Sequence, residues 1–72
     1  MKIYYSRDED DDIHLYEYDT ETGKFYYMDH CWTGRGCWYL RDEPVPEIVE
    51  ISEERAMLIS KGTLHTAPHP DD

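Results

Sequence analysis

The chain is short of bases, aliphatic side chains and cysteine, and each shortage excludes something. Only seven Lys and Arg occur in 72 residues, at Lys2, Arg7, Lys24, Arg35, Arg41, Arg55 and Lys61, scattered with no cluster. Binding nucleic acid directly requires grouped bases to displace counterions from phosphate, so the pattern argues against it. Anionic membrane surfaces are disfavoured for the same reason. No apolar run approaches the roughly 20 residues of a membrane span, and the opening MKIYYSRDED has no apolar signal region, which predicts a cytoplasmic protein, in the host cytoplasm if a phage encodes it. The only two cysteines, Cys31 and Cys37, are too few for the multiple bridges of small secreted domains and are expected as thiols. No Ser-His-Asp arrangement, Gly-rich phosphate loop or P-loop is present, and a chain this short has little room for a buried active site. No enzymatic activity and no cofactor are expected.

What the chain has instead is acid and aromatic surface. Seventeen Asp and Glu give a formal net charge of −10 and a pI near 4.6. The densest stretch is Arg7-Asp8-Glu9-Asp10-Asp11-Asp12, with five carboxylates in succession. Such a run repels itself, so it is expected to form a solvated connection, not part of a sheet, and to face water, a metal ion or a positive partner. Seven Tyr and two Trp supply much of the hydrophobic content. These side chains have an apolar body and a polar tip, so they can close a core and still meet a partner.

The local patterns predict an α+β domain: a small antiparallel β-sheet of about four or five strands in meander and hairpin connections, with one short C-terminal α-helix. Lys2 to Ser6 reads as a strand because it is β-branched and aromatic. Ile13 to Tyr18 and Phe25 to Cys31 flank Asp19 to Lys24, where Gly23 supplies a turn. That turn sets a register with Tyr18 opposite Phe25, Tyr16 opposite Tyr27 and His14 opposite Asp29. One face of the hairpin is then aromatic (Tyr16, Tyr18, Phe25, Tyr27). The other mixes Ile13, Leu15 and Met28 with Glu17 and Tyr26, and either can be the core face. Thr33-Gly34-Arg35-Gly36 marks a second hairpin leading to Cys37 to Leu40. A proline-interrupted connection over 41–46 precedes an edge strand in Glu47 to Ile51. Ser52 is an N-cap for a helix running to about Lys61, with Gly62 as its stop. Residues 1–62 make the compact domain, and 63–72, with two prolines before the final acids, reads as a flexible tail.

Two metal patterns occur. Asp8, Asp10 and Asp12 have the spacing of the first calcium-loop ligands, but Ile13 stands where the turn glycine belongs and Asp19 where the bidentate Glu belongs. Cys31, Cys37, His65 and His69 have the residue types of a tetrahedral zinc site, with a histidine spacing that fits and a cysteine spacing longer than the usual knuckle. A zinc-stabilised structural or adaptor domain is therefore the rival expectation. His14 opposite Asp29 has the form of an oriented base but also of an ordinary cross-strand pair.

The preferred expectation is a protein that binds the basic, nucleic-acid-gripping groove of another protein, with Asp8, Glu9, Asp10, Asp11 and Asp12 standing in for phosphates. Trp32, Trp38 and Tyr39 supply apolar anchoring. At least one of the two tryptophans should be exposed, since the second hairpin has few aliphatic neighbours. In size and acidity, though in no motif, the chain resembles phage inhibitors of host nucleases: the anti-CRISPR, anti-restriction and uracil-glycosylase inhibitor proteins. That resemblance implies inhibition by nucleic-acid mimicry and carries over no residue roles. An acidic antitoxin neutralising a basic toxin would use the same physics.

Overall fold

The computed structural model describes residues 1–70. Five strands, β1 (Lys2–Glu9), β2 (Asp12–Asp19), β3 (Phe25–His30), β4 (Gly36–Leu40) and β5 (Val49–Ile51), precede one helix, α1 (Glu53–Ile59). The strands form a single sheet in the order β4-β3-β2-β1-β5, with every neighbouring pair antiparallel. The expected α+β architecture is the one observed. No helix among the described residues is long and apolar enough to cross a membrane.

The acid run departs from expectation. It does not form a solvated connection. Asp8 and Glu9 end β1, Asp12 begins β2, and the pairs Asp8↔Ile13 and Glu9↔Asp12 continue the ladder to the hairpin's end. Only Asp10 and Asp11 make the turn, at φ 48° and 68°. A two-residue hairpin turn of this hand needs positive φ at both central positions, and Asp tolerates that region better than most non-glycine residues. Self-repulsion is relieved because the tip is solvent-exposed and Arg7 lies 3.2 Å from Glu9.

The β2–β3 register agrees at Tyr18↔Phe25 and Tyr16↔Tyr27. The ladder stops there, so the expected His14 to Asp29 pair does not form. His14 instead approaches Glu9, at 3.8 Å.

The mixed face proves to be the core. Tyr4, Leu15, Tyr26 and Trp38 on the sheet pack with Ala56 of α1 and with Leu64 and Ala67, joined at the margin by Met28, Ile51, Met57 and Ile59. Ser52 caps α1 by accepting a hydrogen bond from the Arg55 N–H (3.1 Å), and the helix ends at Ile59, about half a turn before the expected end at Lys61. Residues 63–70 are part of this layer and not the free tail the prolines suggested. Leu64 is fully buried, the Trp38 backbone N–H donates to the Pro68 carbonyl (3.0 Å), and His69 stacks on the Trp38 ring. Asp71 and Asp72 lie outside the described residues.

Strand alternation sends the remaining aromatics to the opposite face. Tyr5, Tyr16, Tyr27 and Tyr39 are direct cross-strand neighbours and make one row over four strands. Tyr16 stacks on Phe25 (centroids 5.5 Å apart) and Tyr27 on Tyr39 (5.4 Å). Tyr16 and Val45 are buried yet belong to no part of the helix-side cluster. The connection over 41–48 joins opposite edges of the sheet and walls a cleft of about 590 Å³ with Tyr18 and Phe25 through Val45 and Ile48. Much of the aromatic excess is thus absorbed by ring stacking on this second face.

Candidate functional site: the splayed end of the sheet

The functional candidates gather where the sheet divides. Beyond Tyr16↔Tyr27 the β2–β3 ladder ends, while β1–β2 continues to Glu9↔Asp12 and β3–β4 to His30↔Gly36. Two arms result, because β2 begins and β3 finishes at the same end of an antiparallel sheet. One arm carries Asp8, Glu9, Asp10, Asp11 and Asp12. The other carries the loop from Cys31 to Gly36. The gap between them is a cleft of about 510 Å³, bordered by Asp12 and His14 on one arm and by Met28, Asp29 and Gly36 on the other, with Ile59 of α1 behind.

On the acidic arm alternation divides the charges. Glu9 and Asp12 share the aromatic face with Arg7 and His14, whereas Asp8 and Ile13 point to the helix side beyond the helix itself. All five carboxylate residues are exposed.

The second arm is built differently. Cys31 and Cys37 are joined as a disulfide, with Cα atoms 5.6 Å apart, and are not the thiols expected. The Cys31 N–H donates to the Arg35 carbonyl (2.7 Å) and the Gly34 N–H to the Cys31 carbonyl (2.9 Å), a turn that Gly34 completes at φ +84°. At the base, Gly36 packs closely enough that a side chain would press on its neighbours. A Cβ there would lie 3.2 Å from Met28 Sδ and 3.3 Å from Thr63 Oγ1. Trp32 stands on this clamped loop with 97% of its surface exposed, while Trp38, six residues on, is 1% exposed. Trp38 therefore leaves the set of contact candidates; its side chain points to the core face, below the docked residues 63–70. Tyr39 is half-buried, stacked on Tyr27, and its hydroxyl donates to the His30 carbonyl (2.7 Å).

The zinc constellation is dispersed. Cys31 and Cys37 bond each other, His65 Nε2 lies 3.3 Å from Glu53, and His69 Nε2 lies 2.7 Å from Glu17. Among the described residues no three His, Cys, Asp or Glu side chains are grouped to hold a metal ion, which also leaves Asp8, Asp10 and Asp12 without a calcium loop.

One polar centre escaped the sequence reading. Glu17 is 1% exposed in the core layer, within reach of His69, of Lys2 Nζ (3.7 Å) and of the Tyr4 hydroxyl. Its position in phase with Leu15 on the core side of β2 was the available signal. Burial pushes the Tyr4 hydroxyl up from 10.0 to about 12, helped by the charges of Glu17 and Glu53 and by the hydrogen bond to Glu17. A raised folded-state value favours the neutral phenol, so this stability is complete below pH 10 and is lost as pH rises through 12. Relative to Tyr4→Phe, the parent should lose about 2 kcal/mol over that window in urea unfolding. Parallel alkaline loss in both proteins would refute the assignment.

No protein-family model, curated protein or solved structure matches the chain.

Proposed function

We propose that this is a non-enzymatic inhibitor that inserts its acidic arm into a basic, nucleic-acid-binding groove of a cytoplasmic partner protein. One observation carries the reading. The five-carboxylate hairpin and the exposed Trp32, some twenty residues apart in sequence, arrive at the same end of the sheet on adjacent arms. Carboxylates on a narrow two-stranded arm offer a groove the negative charge it normally finds in phosphates, and a field of net charge −10 steers a cationic partner toward encounter. Charge alone gives rate and register; a desolvated aromatic anchor such as Trp32 gives residence time. In size and acidity this is the manner of the phage anti-CRISPR and anti-restriction inhibitors.

The test uses the immobilised protein to capture a partner from lysate, followed by competition with duplex DNA and with RNA. Displacement by nucleic acid is expected; a captured protein indifferent to both would overturn the groove reading. Two variants then apportion the contact. Replacing Asp10, Asp11 and Asp12 with Asn preserves the turn, since Asn accepts positive φ readily. The melting temperature should stay or rise slightly as repulsion is relieved, while affinity falls about tenfold at low salt and the salt dependence flattens. Trp32→Ala should weaken binding at least about tenfold with the melting temperature unchanged. If the acid variant binds like the parent at every salt concentration, the arm is only a solvated hairpin.

A further inference from the structure

We infer that the Cys31–Cys37 bond is a reversible redox site that controls how Trp32 is presented. The bond closes the loop bearing the most exposed aromatic side chain of the described residues, and Trp32 directly follows one of its cysteines. It stands apart from the fold's main support. Neither cysteine belongs to the core cluster, and strand pairing holds the base of the arm through Met28↔Trp38, Asp29↔Cys37 and His30↔Gly36. Breaking the bond therefore frees the loop without removing the contacts that hold β4 to the core. Among the described residues, what the loop keeps beyond the strand ladder is two backbone hydrogen bonds, Cys31 N–H to the Arg35 carbonyl and Gly34 N–H to the Cys31 carbonyl, too few to hold a six-residue excursion in one conformation against chain entropy.

The chemistry is thiol–disulfide exchange with a cellular dithiol. Cys31 is half-buried and Cys37 is 5% exposed, so the reductant's thiolate attacks the Cys31 sulfur and Cys37 departs as a thiolate that takes up a proton. The reductant's second thiolate then attacks the mixed disulfide and releases Cys31. Two electrons and two protons pass to the protein, and the reductant leaves as its own disulfide. In the oxidised form Trp32 is held ready; in the reduced form its ordering must be supplied on binding, which lowers affinity. This last consequence rests on the Trp32 contact proposed above, whereas release of the loop does not.

The experiment has two readouts on the full chain. Protein equilibrated in glutathione redox buffers is scored for thiols, then treated briefly with trypsin, and cleavage after the exposed Arg35 is followed by mass. Reduced protein should remain folded by circular dichroism and be cut at Arg35–Gly36 at least about tenfold faster, because a protease needs local opening that the clamp prevents. The same acceleration should appear without reductant in Cys31→Ser/Cys37→Ser. Binding to the captured partner should then be about tenfold weaker for reduced protein and for the double variant. Equal cleavage in both redox states, loss of the fold on reduction, or equal binding by both states would each overturn the switch. If no nucleic-acid-competed partner is found, the functional proposal fails while the cleavage comparison still decides whether the loop is released.

Discussion

Trp38→Ala is expected to cost about 3 to 5 kcal/mol of folding stability, enough to leave a domain of this size largely unfolded at room temperature. Trp38 is the largest side chain in the core and has 1% of its surface exposed. It touches both halves of the fold's packing, since it shares the cluster with Tyr4, Leu15 and Tyr26 on the sheet and with Leu64 and Ala67 beyond the helix. Cutting the indole to a methyl group opens a cavity and also removes the surface on which His69 stacks. Residues 63–70 would lose their platform with it. Trp38→Phe should cost far less, because the ring volume is mostly kept and the indole N–H, buried without a hydrogen-bond partner among the described residues, is eliminated. Circular dichroism during urea titration reads all three proteins. Trp32→Ala is the internal control, with an unchanged midpoint; similar losses at the two tryptophans would contradict the assignment of one to the core and the other to the surface.

Glu17→Ala should be the most damaging substitution of a charged residue, costing about 3 kcal/mol or more. A carboxylate with 1% exposure ties β1, through the Tyr4 hydroxyl and Lys2, to His69 near the C-terminus. Truncation leaves the Tyr4 hydroxyl without its Glu17 acceptor in a buried layer and removes the contact of Glu17 with His69, so the cost is that of a desolvated polar group as much as of a lost pair. The pairing is separable from mere cavity formation. Glu17→Leu combined with Tyr4→Phe replaces both members by apolar groups and should recover much of the loss, giving a coupling energy of about 1 kcal/mol or more in a double-mutant cycle. Additive effects of the two changes would mean that Glu17 acts only by filling space.

Several features were legible without coordinates because they are encoded by neighbours in the chain. The Gly23 turn set the register of Tyr16 and Tyr18 against Tyr27 and Phe25, and period-two alternation sorted those aromatics onto one face. The Ser52 cap and the edge position of residues 49–51 followed from equally local chemistry. The acid run departs from its local expectation for a related reason. Charge repulsion alone argues against strand pairing, but a two-residue turn lets Asp8, Glu9 and Asp12 pair in strands while their side chains remain in water.

Which face of the sheet becomes the core was a different kind of question, since both faces of the β2–β3 hairpin carry enough apolar surface and alternation is silent between them. The tertiary structure decided it through Ala56, Leu64 and Ala67, which approach from residues 56–67 and cover the face holding Leu15, Tyr26 and Trp38. The same long-range packing separated Trp32 from Trp38 and drew His69 to Glu17, whereas the Cys31–Cys37 bond closes a local turn. Local sequence determines turns, alternation and charge because those depend on covalent neighbours. Burial, buried polar pairing and the meeting of two arms at one end of the sheet depend on which distant segments exclude water from each other, and only the folded chain specifies that.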